Sequence, residues 1–381
     1  MARRIDADGH VLEPPDLWAH YLEPAWRERA IRVARTAEGH DVLLVDGRPA
    51  ALTTPPMLGG FGGMGRSIDE LAAAAVSGRY AENAPAAATD PAARIRLLDT
   101  DGIAAALLYP SLGLQWEAEC PNAAYAAAHA RAYNRWIEEF CAGSGGRLVP
   151  VAHLVLGDAG AAAAELRRAV RAGARGAFVL PFTSDGLPHG HPVHDPVWAA
   201  AVECDVPIAI HTGIDPPARS LHRRFDGVSW PEAVPESIWY LQMMFPQAVQ
   251  QAFSTFFQWA TFDRFPALRL VVLESGASWL GFWMDRMDAM AKSPLRVTMS
   301  LRHLPSDYVR RQCWIAADPD ERGLPAVMEY VGADRFLWAT DYPHSDHGAD
   351  YVHELAELLG RLAPAAAAAI AGENAARVYR L

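Results

Sequence analysis

The sequence predicts a (β/α)8 TIM barrel carrying an N-terminal insertion and a lid insertion after strand 5. Three observations predict it. Apolar runs of strand length recur about eight times, alanine-rich helical stretches separate them, and acidic or imidazole side chains stand at the ends of several runs. Strands alternating with helices imply a parallel sheet, and about eight repeats favour closure. The competing open, doubly wound sheet is lowered because no GxGxxG follows the first strand.

The first strand is read at Arg3–Ala7, the second at Ile103–Pro110 and the third at Leu148–Leu154. Ala177–Pro181, Pro207–His211, Leu268–Glu274, Cys313–Ala317 and Arg335–Asp341 follow. Helices are predicted at Ala123–Cys141 and Ala159–Ala172, the latter with Asp158 as N-cap and Gly173 as its stop. Residues 32–90, with the glycine cluster Gly59–Gly65, read as an insertion with a mobile loop. Residues 214–246, rich in proline, tryptophan and methionine, read as a lid or pocket wall above strand five. Residues 1–381 are taken as one domain.

Composition sets the outer limits. A chain of 381 residues that is 51% apolar can bury a large core, and a net charge of -11 argues against nucleic acid or an anionic membrane as partner. No run of about 18 apolar residues reads as a membrane helix, and no apolar leader follows the arginines of MARRIDADGH. A cytoplasmic protein is expected, and a homodimer is compatible with the sequence. Cys120, Cys141, Cys204 and Cys313 are far apart and read as free thiols.

Function is read from position. Asp8 and His10 follow the first strand, His211 ends the fifth, Glu274 the sixth and Asp341 the eighth. The C-terminal rim is where barrel active sites assemble. Asp8 and His10, two residues apart in an extended chain, point to one side. Any one of these residues is more often a cap or a satisfied core group. Five at matching strand ends indicate a shared divalent cation, and oxygen and imidazole donors without thiolate suit iron, manganese or zinc. His153 near the end of the third strand is either pocket lining or core, and the tract His189, His191, His194 reads as loop surface. The Trp230 to Phe245 stretch is read equally as packing or as an apolar substrate wall.

The motifs IDADGHVLEPPDLW (Ile5–Trp18), HTG at His211, LESGASW (Leu273–Trp279), WATDYPHSD (Trp338–Asp346) and GENAARVY (Gly372–Tyr379) resemble the amidohydrolase-related family. That family includes aminocarboxymuconate-semialdehyde decarboxylase and hydroxybenzoate decarboxylases. The resemblance spans nearly the whole chain and implies a barrel with a catalytic metal at its top. It places Asp8 at the first histidine of the family's HxH, His10 at the second, His211 at the strand-five ligand and Asp341 at the strand-eight aspartate. Glu274 departs from it, standing where relatives carry a histidine, and Lys292, the single lysine, is too far away to bridge metals.

The LESGASW and DYPH features further resemble a branch exemplified by the nonheme diiron diterpenoid hydroxylase of platensimycin and platencin biosynthesis. On that resemblance Glu13 and His344 join the metal set, Glu274, Asp341 and His344 are the catalytic residues, and Asp346 and His347 support them. The function expected is oxygen-dependent hydroxylation of an apolar, CoA-linked substrate by two iron ions, with an external electron donor. The alternative is a mononuclear metal-dependent hydrolase or non-oxidative decarboxylase, and a non-catalytic binding barrel is the third reading.

Overall fold

A computed structural model of the chain describes residues 3–216, 219, 236–298 and 300–381. Eight parallel strands follow one another around a barrel in sequence order: β1 (Ile5–Val11), β2 (Ala105–Pro110), β3 (Leu148–His153), β4 (Gly176–Val179), β5 (Ile208–Ile210), β6 (Leu270–Val272), β7 (Cys313–Ala317) and β8 (Phe336–Trp338). Each pairs in parallel with the next. Between the outermost two, the Asp341 amide donates to the Asp8 carbonyl at 3.0 Å and the His10 amide to the Tyr342 carbonyl at 2.7 Å. The expected barrel is therefore the fold observed.

Alternate strand residues fill the interior, among them Ile5, Ala7, Leu107, Val151, Phe178 and Val271, all buried. The helix Asn374–Tyr379 closes the N-terminal end of the barrel, with Val378 and Tyr379 in the same core and the Tyr379 hydroxyl 3.1 Å from that of Tyr109. A Cβ on Gly176 would lie 2.9 Å from the Tyr379 ring, so β4 must start with glycine.

The helix Ala123–Cys141 has the predicted bounds, and Asn122 caps it by accepting from the Tyr125 amide at 2.9 Å. Asp158 caps Ala159–Arg171 as expected, through the Ala161 amide at 2.9 Å. Residues 32–90 hold a small antiparallel sheet (Arg32–Arg35, Asp41–Val45, Arg48–Pro49) and short helices. The glycine cluster expected to be a mobile loop is instead close-packed. A Cβ on Gly63 would meet Leu71 at 2.5 Å and Ser345 at 2.9 Å, and the Met64 amide donates to the Pro343 carbonyl at 3.1 Å.

Most of the lid expected at 214–246 lies outside the described residues, Trp230 included. Its described end begins the helix Glu236–Gln258. Among the described residues no helix is long and apolar enough to cross a membrane, and the four cysteines are free.

Candidate metal centre

The first strand reaches Val11, four residues beyond the expected end, because it contains a bulge. Ile5 faces Ala105 and Asp6 faces Ala106, but the register slips before Gly9 meets Leu108. Before the slip Ile5 and Ala7 fill the barrel. An unbroken alternation would keep Asp8 and His10 on the opposite side, with Asp6. One extra residue reverses the parity and turns both into the mouth.

There Asp8 Oδ1 lies 3.2 Å from His211 Nε2 and 3.5 Å from His10 Nε2. His10 Nε2 is 3.1 Å from Asp341 Oδ1, and Glu274 Oε2 is 3.5 Å from His211 Nδ1. The fold thus gathers two overlapping sets of donors, His10, Glu274, Asp341 and His344 in one and Asp8, His10 and His211 in the other, each within 4.8 Å.

The backbone sets these positions. Strands β5, β6 and β8 stop before His211, Glu274 and Asp341, which fall in the turns that follow. Glu274 and Asp341 have left-handed backbones, φ 43° and 53°. Non-glycine residues rarely adopt this conformation, at a cost of about 1–3 kcal/mol, and it clusters at functional sites. Glu321 secures the Glu274 turn by accepting from the Ala277 and Ser278 amides at 2.8 and 2.7 Å. Asp6 secures the Asp341 turn through the Thr340 amide and hydroxyl at 3.0 and 2.8 Å. The Tyr342–Pro343 peptide is cis.

Imidazole orientation is equally determined. His10 Nδ1 donates to the Pro110 carbonyl at 2.8 Å, which leaves Nε2 as a lone-pair donor to the cluster. His344 joins Asp341 Oδ1 (3.0 Å) to Ser111 Oγ (2.8 Å). His347 Nδ1 holds the other Asp341 oxygen at 2.8 Å.

The electrostatics fit a cation. His10 Nε2 and Glu274 Oε2 are buried with no hydrogen-bond partner, which is rare unless an ion or ligand completes the site. Burial, and then the neighbouring Asp341, push the Glu274 carboxyl well above the usual range. Burial opposes charge on His211 and His344, yet Asp8 and Asp341 respectively outweigh it and raise both to about 9. Such crowding of buried carboxylate charge is relieved by a bound divalent ion. The donor set, carboxylate and imidazole with no thiolate, suits manganese, iron or zinc.

Asp8, His10, His211, Glu274, Asp341 and His344 are thus brought together. Glu13 is not: its carboxylate accepts from the Ser111, Leu112 and Gly113 amides at 3.1, 2.9 and 2.8 Å. It shapes the loop after β2 that places Ser111 against His344. His189 and His194 are buried, not loop surface, and bond the Leu180 and Pro188 carbonyls at 2.8 and 3.1 Å. His347, expected as a support from its spacing, contacts Asp341 directly at 2.8 Å. Ser111 and the buried Arg94 that holds the His10 carbonyl at 2.8 Å have no such signal in the sequence.

A model of the amidohydrolase family matches residues 5–381. Gamma-resorcylate decarboxylase of Rhizobium sp. strain MTP-10005 is 28% identical over 302 residues, 76% of this chain and 86% of the relative. A solved amidohydrolase from Mycobacterium avium subsp. paratuberculosis K-10 is similar with a TM-score of 0.81 at 23% identity, covering 99% of each chain. Dihydroxybenzoic acid decarboxylase of Polaromonas sp. JS666, solved with manganese and the inhibitor 2-nitroresorcinol, gives 0.65 at 20% identity, over 100% of this chain and 98% of that one. These findings overturn the expected di-iron monooxygenase, since the curated relatives found are decarboxylases. The two irons, the CoA-linked substrate and the electron donor that accompanied that reading have no support in them.

Proposed function

Because the chain belongs to the amidohydrolase family, we propose that it is a metal-dependent, non-oxidative decarboxylase of an aromatic carboxylic acid. The observation that carries the reading is the convergence of buried donors from β1, β5, β6 and β8, with His10 Nε2 and Glu274 Oε2 unpartnered. The relatives' activity supports the reaction class.

Asp8, His10, His211 and Asp341 would hold the ion, with Glu274 alongside. When bound, a divalent ion supplies positive charge that fixes and polarises the substrate carboxylate. Manganese, present in the Polaromonas structure, is our first choice of ion.

Decarboxylation replaces a carbon–carboxylate bond by carbon–hydrogen, so the chain must deliver a proton to the ring carbon. We assign this delivery to Asp341. His344 lies on its Oδ1 and His347 on its Oδ2, so a proton leaving either oxygen is replaceable from an adjacent imidazole. His347 is 26% exposed at its side chain and gives that pair contact with solvent. Phe178 and Tyr109, buried beside His211 with ring centroids 6.0 and 5.3 Å from it, keep the floor of the mouth apolar.

The test is turnover of hydroxybenzoates by manganese-loaded protein under anaerobic conditions in D2O. We expect carbon dioxide release without oxygen, and one deuterium at the vacated ring position. Turnover that stops when oxygen is removed contradicts the proposal.

A further inference from the structure

His153 is the last residue of β3, so it stands at the C-terminal rim as His10 and His211 do. It is level in register with Phe178 of β4, whose side chain fills the barrel, so its own side chain also faces inward. The two rings stack at 4.5 Å and 20°, and Phe178 in turn meets His211 edge-on at 6.0 Å. A single aromatic ring thus contacts both His153 and a residue of the metal centre.

His153 is fully buried and paired. Its Nε2 lies 2.9 Å from Glu117 Oε2, with side-chain exposures of 0% and 2%. A carboxylate only accepts, so Nε2 carries the hydrogen, and in the neutral imidazole Nδ1 presents a lone pair. That Nδ1 has no hydrogen-bond partner. In the loop that supplies Glu117, Gln115 Oε1 and Trp116 Nε1 are also buried and unpartnered, and so is Thr212 Oγ1 next to His211. The Leu114 carbonyl accepts from the Ile214 amide at 3.0 Å and joins these two loops. A buried acid–imidazole pair is weak evidence for stability, because well-packed apolar residues serve as well or better. Several buried polar atoms left unpartnered in two joined loops point to a ligand that satisfies them.

We propose that Glu117 and His153 form a hydroxyl-recognising pole of the substrate site. Glu117 fixes the tautomer, and His153 Nδ1 accepts a hydrogen bond from a ring hydroxyl of a substrate whose carboxylate lies at the metal centre. The substrate is thereby a hydroxylated aryl acid lying across Phe178. This rests on the decarboxylase reading for the carboxylate end only, since the hydroxyl contact is independent of the reaction. His153 is a specificity residue, and Glu117 acts through it as a positioning residue.

The experiment compares wild type, His153→Phe and the isosteric Glu117→Gln. Each is assayed for kcat/KM with 2-hydroxybenzoate and with dihydroxybenzoates, and by calorimetry for binding of resorcinol, which has hydroxyls but no carboxylate. Wild type should prefer the best dihydroxybenzoate over 2-hydroxybenzoate by about tenfold or more, as expected when a buried acceptor is left unpaired by the lesser substrate. His153→Phe should bring the ratio towards one by lowering the dihydroxybenzoate value more than the 2-hydroxybenzoate value. Glu117→Gln, which frees the tautomer, should lower the ratio with little change in kcat. An unchanged ratio in both variants, or in Glu117→Gln alone should His153→Phe not fold, overturns the proposal. If no acid is turned over, the decarboxylase reading fails while resorcinol still decides this one. Binding by wild type that weakens in the variants upholds the pole, and binding that is equal in all, or absent from wild type, overturns it.

Discussion

The amide of Asp341 donates to the carbonyl of Asp8 at 3.0 Å, joining the last turn of the barrel to its first strand at the point where both side chains meet the metal centre. Closure of the fold and assembly of the site are therefore one structural event. Substitutions that disturb this seam should affect stability and metal affinity together.

Asp341→Asn tests the proton-delivering role. The amide keeps the shape but cannot exchange a proton with His344 and His347. We expect kcat to fall by about 10²–10⁴, with a cooperative melting transition retained. His347→Gln should give a smaller loss. Equal kcat in Asp341→Asn and wild type would remove Asp341 from the chemistry.

Arg94 tests the seam itself. It is fully buried, holds the His10 carbonyl at 2.8 Å, lies 4.0 Å from Asp6 and stacks on Tyr342 at 4.7 Å. Burial raises Asp6 to about 6 even with Arg94 beside it. Arg94→Met should cost about 3–5 kcal/mol by leaving that carboxyl without its cation. Asp6→Asn combined with Arg94→Met should cost less than the two single effects added, as denaturant unfolding of the four proteins would show.

Gly63→Ala tests the packing of the glycine cluster on the segment that follows Asp341. The new methyl has no room beside Leu71, the Gly60 carbonyl and Ser345. A loss of about 1–3 kcal/mol is expected, together with weaker metal binding. Unaltered stability would show that the cluster is as loose as its composition implied.

His129 supplies a pH dependence remote from the metal. Burial lowers it to about 4, and it is neutral with Nδ1 donating to the Tyr125 carbonyl and Nε2 accepting from the Ile31 amide. Its folded pKa lies below the ordinary value. The stability it contributes is therefore complete above about pH 6.5 and is lost as pH falls towards 4, roughly 3 kcal/mol in all. Urea midpoints should fall more steeply over that window in wild type than in His129→Gln, which preserves both hydrogen bonds without titrating.

Much of this was legible in the residues. The strand runs and their ends located His211, Glu274 and Asp341 because apolar β segments and rim position are local properties. Glu13 misled because its spacing from His10 matches a chelating loop, whereas its carboxylate is claimed by amides about a hundred residues away. The bulge in β1 is marked in IDADGHV only by Gly9, a cue shared with ordinary turns, yet it decides which way Asp8 and His10 face. Glu117 has no local signal, since its partner His153 is brought to it by the barrel. The oxygenase expectation leaned on Glu274, and one carboxylate in place of a histidine does not distinguish oxygen activation from decarboxylation.

The most direct test of the account is manganese binding, measured by calorimetry and elemental analysis on wild type, Asp8→Ala and His211→Ala purified without an affinity-tag metal. The account predicts stoichiometric binding by wild type and a loss of at least about 100-fold in affinity in each folded variant. Wild-type protein that takes up no divalent ion, or variants that bind as tightly as wild type, would contradict it.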